Sequence, residues 1–586
     1  MTEQGQISAP APAAPPAPRR GMPYKYTVLT NTTLGIFMAV LDSSIVMISL
    51  PDIFRGIQLN PLDPANFAYL LWMLMGYGLV TAVLVVTLGR IGDIFGRVRM
   101  YNLGFVIFTV ASLALSLVWM TGPAGAIQII AFRMVQAVGG AMLMANSAAI
   151  ITDVFPANER GMALGINQIA ALAGSFLGLV LGGILAVINW RLVFLVNVPI
   201  GIFGTVWAYW KLVDTGERHP ARIDWLGMVT FAAGLWCVLL GVTSGITPYG
   251  GSPMGWGNPR VWAMIVGGLA LLGLFVLIEM RVTDPMFDLA LFRIRAFAAG
   301  NLAVLLSSTA NGGMQFMFIM WLQGIWLPLH GVSFDKTPIW AGIAMLPLTL
   351  GFMVAGPTFG RLSDKYGARP FATGGMLLAA LTFGLLTLLP ADFWYPAFAT
   401  LLFMDGVAFG MFSAPNTAAI MNSVPAKDRG AASGMRATAQ MTGQPLSMGI
   451  FFSLMVAGLV ASVPVAMSTG LIAHSVPPQV AHKLATMPPT GYLFAAFLGY
   501  NPLASLLGPI LHTLPAADAA VLAGKEFFPK LIATPFEGAL KLVLIFSSAM
   551  CLVAALASWL RGGKYVHGEV TPAHIEVVPE PMEAEI

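Results

Sequence analysis

A chain of 586 residues that is 57% hydrophobic and 10% charged is not an ordinary soluble protein, because soluble domains carry about 25% charged residues. The mean hydropathy of +0.79 comes from apolar runs of roughly twenty residues, the length of helix that crosses a hydrocarbon core of about 30 Å. The net charge of +4 excludes little, since in a membrane protein the placement of Lys and Arg matters more than their sum.

The composition predicts an all-α polytopic membrane protein, and the runs resolve into fourteen spans. Residues 1–25 read as a disordered cytoplasmic tail: a Pro/Ala tract over 8–18 precedes Arg19 and Arg20, with no cleavable signal pattern. The spans lie at 26–50, 69–88, 101–121, 127–149, 162–187, 191–212, 223–245, 260–280, 297–328, 338–361, 371–390, 395–421, 432–461 and 539–560. With the N-terminus inside, most Lys and Arg fall in connections and tails on that side. The even count returns the C-terminus there too. Both termini are therefore expected in the cytoplasm, on a protein integral to the inner or plasma membrane. One further apolar stretch, 491–511, is broken by Asn501, Pro502 and Pro509. It is expected to lie with the rest of 462–537 in a long extracytoplasmic segment, whose length and proline content suggest a dock for an extracytoplasmic adaptor.

The turn at 88–100, LGRIGDIFGRVRM, sets Arg90, Asp93, Arg97 and Arg99 between two apolar runs. Gly89, Gly92 and Gly96 let the helix ends there approach a neighbour closely. A near copy at 360–370, GRLSDKYGARP, places Gly360 and Asp364 where the first turn has Gly89 and Asp93. NSAAIITDVFPANERG (146–161) returns as NTAAIMNSVPAKDRG (416–430), and Gly165 and Gly174 return as Gly434 and Gly443. A repeat at that distance means a duplicated half, not a local motif. The offset is too long for two adjoining six-helix halves and fits two halves separated by an extra helix pair. The expected units are a six-helix bundle over 26–213, two inserted helices over 214–296, and a second bundle from 297–461 and 538–561. A tail over 562–586 follows. Parallel six-span repeats with a site between them at mid-membrane are a transporter architecture.

Few charges lie at depth, and each needs an account. Asp42 sits well inside the first span, where a carboxylate costs about 2.5–3.5 kcal/mol on insertion scales. It is a candidate to carry a proton and to attract a cationic solute; the plainer reading is an acid satisfied by Ser43, Ser44 or a neighbouring helix. Asp405 is the second deep acid, and Arg133 must find an acceptor at depth. Asn146, Gln168, Asn311, Gln315, Asn416 and Gln440 are candidates to face a solute cavity, although polar residues in membrane helices often only bond their neighbours. The 34 Met and 36 Phe suit an adaptable apolar pocket. Cys237 and Cys551 lie in separate apolar runs and imply no disulfide framework. Neither a GxxxxGK[ST] loop, a metal spacing nor a hydrolase constellation is present, so no cofactor, metal, enzyme activity or nucleic-acid partner is expected.

GRIGDIFGRVR, with Gly89, Asp93, Gly96, Arg97 and Arg99, resembles the signature between the second and third spans of the major facilitator superfamily, departing at Ile94. LDSSIVMISLP (41–51) resembles the first-span motif of its fourteen-span drug:proton antiporters. Arg133, Gln136, Gly139 and Gly140 resemble the fourth-span motif tied to proton coupling. WRLVFLVNVPIG (190–201), 224–227 and 288–293 resemble connections of the same branch. The fifth-span glycine ladder, Gly165, Gly174, Gly178, Gly182 and Gly183, resembles the antiporter motif, with Leu179 where that motif has proline.

The resemblance implies a major facilitator fold of two six-helix bundles plus two extra helices, and a proton-coupled exporter of amphipathic, cationic compounds. Asp42, Arg133 and Asp405 would handle protons. Gly89, Asp93, Gly96, Arg97, Asp153, Gly360 and Asp364 would gate, with Asp93 docked on the start of the thirteenth span near Ala432 and Arg97 paired with Asp153. The implied partners are a small-molecule substrate, protons and membrane lipids. The alternatives are an exporter dedicated to one endogenous lipid, siderophore or secondary metabolite, an importer or uniporter suggested by Leu179, and a membrane-embedded enzyme or binding protein.

Overall fold

The computed structural model describes residues 23–562, except 61–65, 215–223, 283, 284, 286, 426–428, 488–490, 493, 494, 496, 497, 499, 500 and 525. The expected tails, 1–22 and 563–586, and the side chain of Asp364 lie outside the described residues. Among those described, fourteen helices are long and apolar enough to cross a membrane. The first half holds α1 (Tyr24–Gly56), α2 (Ala68–Phe95), α3 (Arg97–Ser116), α4 (Gly122–Val154), α5 (Met162–Ile188) and α6 (Leu192–Lys211). An inserted pair follows, α7 (Trp225–Ile246) and α8 (Pro259–Glu279). The second half holds α9 (Arg295–Leu329), α10 (Thr337–Ser363), α11 (Ala368–Leu386), α12 (Tyr395–Asn422), α13 (Ala431–Ile472) and α14 (Phe527–Leu560). Each of the fourteen overlaps one of the spans read from the sequence.

Glycine sets the closest crossings. Helices in a membrane gain little from hydrophobic contrast and associate through close backbone approach at small residues. On α5, a Cβ at Gly174 would stand 2.6 Å from the Phe37 carbonyl oxygen of α1, and one at Gly178 would stand 2.6 Å from that of Leu41. Gly182 meets the Ile45 carbonyl in the same way, at 2.8 Å. The second half repeats the crossing: a Cβ at Gly443 of α13 would stand 2.9 Å from the Leu305 carbonyl of α9. Gly89 and Gly360 are likewise matched, each with 3.5 Å from a would-be Cβ to an alanine methyl, Ala145 on α4 and Ala414 on α12. The turns that follow both rest on a glycine with positive φ, Gly96 at 109° and Gly367 at 87°, a region that side-chain-bearing residues enter only with strain.

Two boundaries differ from the expectation. α13 continues through Pro464 to Ile472, and α14 begins at Phe527, upstream of Pro535. The extracytoplasmic segment expected over 462–537 thus shrinks to 473–526. Proline removes one hydrogen bond from a helix, yet membrane helices tolerate it where neighbours restore the freed groups. Here both helices are paired along their length, with a Cβ at Gly458 of α13 only 2.7 Å from Ala539 of α14. Between them lie the short helices Pro478–Ala485, Pro502–Leu507 and Ala516–Ala523. Among the described residues, the 491–511 stretch forms no helix long enough to cross a membrane.

Candidate functional site

Asp42 is fully buried in the first half, and its carboxylate is saturated. Arg133 Nη1 of α4 pairs with Oδ2 at 2.8 Å. Gln136 Nε2, one helical turn on, donates to Oδ1 at 2.8 Å. Asn197 Nδ2, from the start of α6, donates to the same oxygen at 2.7 Å. Gln136 also donates to Ser112 Oγ of α3 at 2.9 Å and accepts from Arg133 Nη1 at 3.0 Å. The Arg133 guanidinium lies over the Tyr77 ring of α2, 4.8 Å from its centroid, and a Cβ at Gly140 would collide with the Tyr77 hydroxyl. Five helices of the first half therefore converge on one buried ion pair. An isolated charge would not persist at that depth, but a paired and hydrogen-bonded one can.

The acceptor that Arg133 requires is Asp42 itself, so the two deep charges form one unit. Gln136 joins them because it follows Arg133 by three residues on the same helix face. Asn197, Tyr77 and Ser112 are additional to the expected site. Asn197 lies in the sixth expected span, and its carboxamide carries no sequence signal separating it from other polar residues.

Asp405 of α12 is also fully buried, but within the second half. Neither carboxylate oxygen has a hydrogen-bond partner among the described residues, and Cys551 of α14 is an electrostatic neighbour. Gly406 beside it packs against α10, near the Leu348 carbonyl. Asp42 and Asp405 thus occupy the interiors of separate bundles.

Two of the six candidate cavity residues serve helix contacts. Asn146 is buried with its Oδ1 against Gly92 of α2, and its Nδ2 bonds the Met142 carbonyl of its own helix at 2.9 Å. Asn416 donates to the Gly300 carbonyl of α9 at 3.2 Å and accepts from Arg561. Both side chains are engaged by neighbouring groups in this arrangement. Asn311, Gln315 and Gln440 are half-buried, and Gln168 is exposed. Gln440 accepts from Arg436, one turn earlier on α13, at 3.2 Å.

At the end of the molecule where α1 begins, Arg97 links two acids. Its Nε reaches Asp93 Oδ1 at 2.7 Å and its Nη1 reaches Asp153 Oδ1 at 2.5 Å. The pair of Arg97 with Asp153 is the one expected, and all three groups belong to the first half. Ala432, where the dock for Asp93 was expected, is buried at the start of α13, and the ion-pair partner of Asp93 among the described residues is Arg97 of its own half. At the opposite end the halves touch. A Cβ at Gly183 of α5 would stand 2.7 Å from the Cα of Ile339 on α10, and one at Gly342 would stand 3.1 Å from the Leu179 carbonyl. Gln323, in a π-helical turn of α9 over Leu322–Trp326, donates to the Ile48 carbonyl of α1 at 3.5 Å. The ladder glycines thus divide: Gly174, Gly178 and Gly182 bind α5 to its own half, and Gly183 meets the other.

Duplicated bundles of membrane helices with a charge pair sealed in one of them have the architecture of a polytopic transporter. The chain belongs to the Major Facilitator Superfamily, whose family model matches residues 32–448. It is 29% identical over 439 residues to a tetracenomycin C resistance and export protein of Streptomyces glaucescens, covering 74% of this chain and 76% of that one. It is 28% identical over 546 residues to the multidrug resistance protein Stp of Mycobacterium tuberculosis, covering 92% of each. Its fold is similar to that of a bacterial homologue of the human lysosomal transporter Spinster in an inward-facing, unoccupied conformation. That likeness has a TM-score of 0.53 at 16% identity and covers 93% of this chain and 99% of the other. Relatives named for drug resistance and export support an exporter role.

Proposed function

We propose that this transporter is a proton-driven antiporter that exports amphipathic compounds by alternating access, with the Asp42–Arg133–Gln136–Asn197 cluster as its proton-coupling site. The observation that carries the reading is the saturation of Asp42 by one cation and two amide donors. A proton arriving at Asp42 cancels the carboxylate, releases Arg133 from its partner and leaves two donors facing a neutral acid. Each of those contacts weakens at once, so protonation favours a different helix arrangement around α1, α4 and α6. Asp93, Arg97 and Asp153 hold the cytoplasmic side in this reading, and Asp405 serves as a second protonatable group.

The test is transport in proteoliposomes with an imposed pH gradient, comparing wild type with Asp42→Asn. The expected result is gradient-dependent movement of a fluorescent amphipathic cation, abolished by the substitution. Movement that persists in Asp42→Asn, with its dependence on the gradient intact, excludes Asp42 as the coupling group.

A second reading is favoured by the same pair. Arg133 neutralises Asp42, so no net negative charge remains there to select a cation. The tetracenomycin C exporter is a relative named for a single compound, which fits an exporter dedicated to one uncharged or anionic metabolite. Gradient-driven counterflow by neutral aromatic solutes, with none by lipophilic cations, would establish that reading over the first.

A further inference from the structure

The inserted pair α7–α8 lies outside both bundles, and α8 is the least enclosed of the fourteen helices. Val266, Leu269, Leu274 and Leu277 along it are exposed to the surroundings, which at this depth are lipid. The pair crosses closely at Gly234 and Gly268, where a Cβ on either would stand 3.0 or 2.7 Å from the other's carbonyl oxygen. Beside the crossing is a groove of about 530 Å³, walled by Cys237 of α7 and by Ala263, Met264, Gly267 and Leu271 of α8. Its one charged wall is Arg260, in the first turn of α8. That side chain is exposed and has no ion-pair partner among the described residues.

The depth of Arg260 is marked independently. Trp256 and Trp262 flank it, 6.1 Å apart between ring centroids, and Trp262 Nε1 donates to the Trp256 carbonyl at 2.8 Å. Tryptophan collects at the membrane–water boundary, where its ring is buried and its N–H is satisfied. The guanidinium thus stands at headgroup level and the apolar groove runs from it into the bilayer.

We propose that this groove is a phospholipid site, in which one acyl chain lies along the α7–α8 crossing and the phosphate of an anionic headgroup pairs with Arg260. A guanidinium binds phosphate through two parallel N–H donors, and an unpaired cation at headgroup level favours an anionic headgroup over a zwitterionic one by simple charge attraction. Gly267, whose Cβ position has no atom within 4 Å, leaves the width the chain requires. The opposite face of α7 touches both halves of the transporter. Trp236 packs on Trp72 of α2 at 6.4 Å between centroids, and Val242 packs on Gly449 of α13. A lipid held on the outer face therefore loads the helix that spans the seam between the bundles. The site is independent of the substrate and of the coupling ion.

Cys237 reports on the groove, because the other cysteine, Cys551, is fully buried. The experiment is the rate of N-ethylmaleimide labelling of Cys237 in detergent-solubilised full-length protein. Micelles are doped with phosphatidylglycerol, with phosphatidylcholine of the same chains, or with glycerol phosphate. The expected result is labelling several-fold slower with phosphatidylglycerol than with phosphatidylcholine, and unchanged by glycerol phosphate. Arg260→Ala is expected to label equally fast with both lipids, while Gly267→Leu, which fills the groove, labels slowly with or without lipid. Equal rates with the two lipids in the wild type overturn the proposal, as does selectivity that survives in Arg260→Ala. Protection by glycerol phosphate overturns it too, since the head alone would then suffice.

Discussion

At the scale of residues, the ion pair of Asp42 and Arg133 carries the sharpest consequences. Removing one partner of a buried pair costs about 3–5 kcal/mol, because the other charge is left unpaired in low dielectric. Arg133→Ala is therefore expected to lower the midpoint of thermal unfolding in detergent more than Asp42→Asn does, since the first strands a carboxylate and the second retains an amide. Adding Asp42→Asn to Arg133→Ala should recover part of the loss, and a double-mutant cycle should return a coupling of about 0.5–3 kcal/mol. Additive losses would mean that the two groups do not act as a pair. Asn197→Ala removes one of the donors to Oδ1 and is expected to cost about 1–3 kcal/mol in the same measurement. The two charges were legible in the sequence, because a charge inside an apolar run stands out from composition alone. Asn197 was not, and neither were the bonds that Asn146 and Asn416 make, for one reason. An amide in a membrane helix bonds whichever helix is beside it, and only packing decides whether that neighbour is a cavity, a glycine or a backbone carbonyl.

Helices follow a plainer logic. Fourteen apolar runs gave fourteen helices because backbone groups in lipid must be satisfied within the segment itself. The duplicated glycines marked α5 and α13 as able to approach a neighbour closely, and Gly174 and Gly443 meet corresponding carbonyls of α1 and α9. Their flanking partners Gly165 and Gly434 both face open space, so the repeat extends beyond the positions that need it for contact. This separates two outcomes. Gly174→Leu and Gly443→Leu are expected to reduce the yield of monodisperse protein in size-exclusion chromatography, because each side chain would enter a backbone contact. Gly165→Ala and Gly434→Ala are expected to leave that yield unchanged. Equal damage from all four would place the glycines' value in something other than helix approach. What the sequence obscured was the ends of α13 and α14. The expected spans stop at 461 and resume at 539, whereas both helices run on through Pro464 and Pro535.

For the molecule as a whole, the halves meet in a seam at the end away from the start of α1. It closes without a salt bridge among the described residues: Gly183 on the Ile339 backbone, Gly342 on the Leu179 carbonyl, and Gln323 on the Ile48 carbonyl. Contacts of this kind are shape-dependent and weak singly, which suits the opening that the proposed alternating access calls for. Leu179 stands where the antiporter motif has proline. Because Gly342 approaches its carbonyl oxygen, the substitution bears on the seam between the halves as well as on the shape of α5. Alternating access requires that this seam part. With Cys237 and Cys551 replaced by serine and alanine, Ile48→Cys and Gly342→Cys place two thiols across it, since the Ile48 Cδ1 lies 3.5 Å from a Cβ at Gly342. A short bifunctional thiol reagent is expected to link them and to stop transport in proteoliposomes, with each single-cysteine control unaffected by the reagent. Transport that continues at full rate in the linked protein would mean that α1 and α10 move as one body, and the opening would then have to lie along another pair of helices.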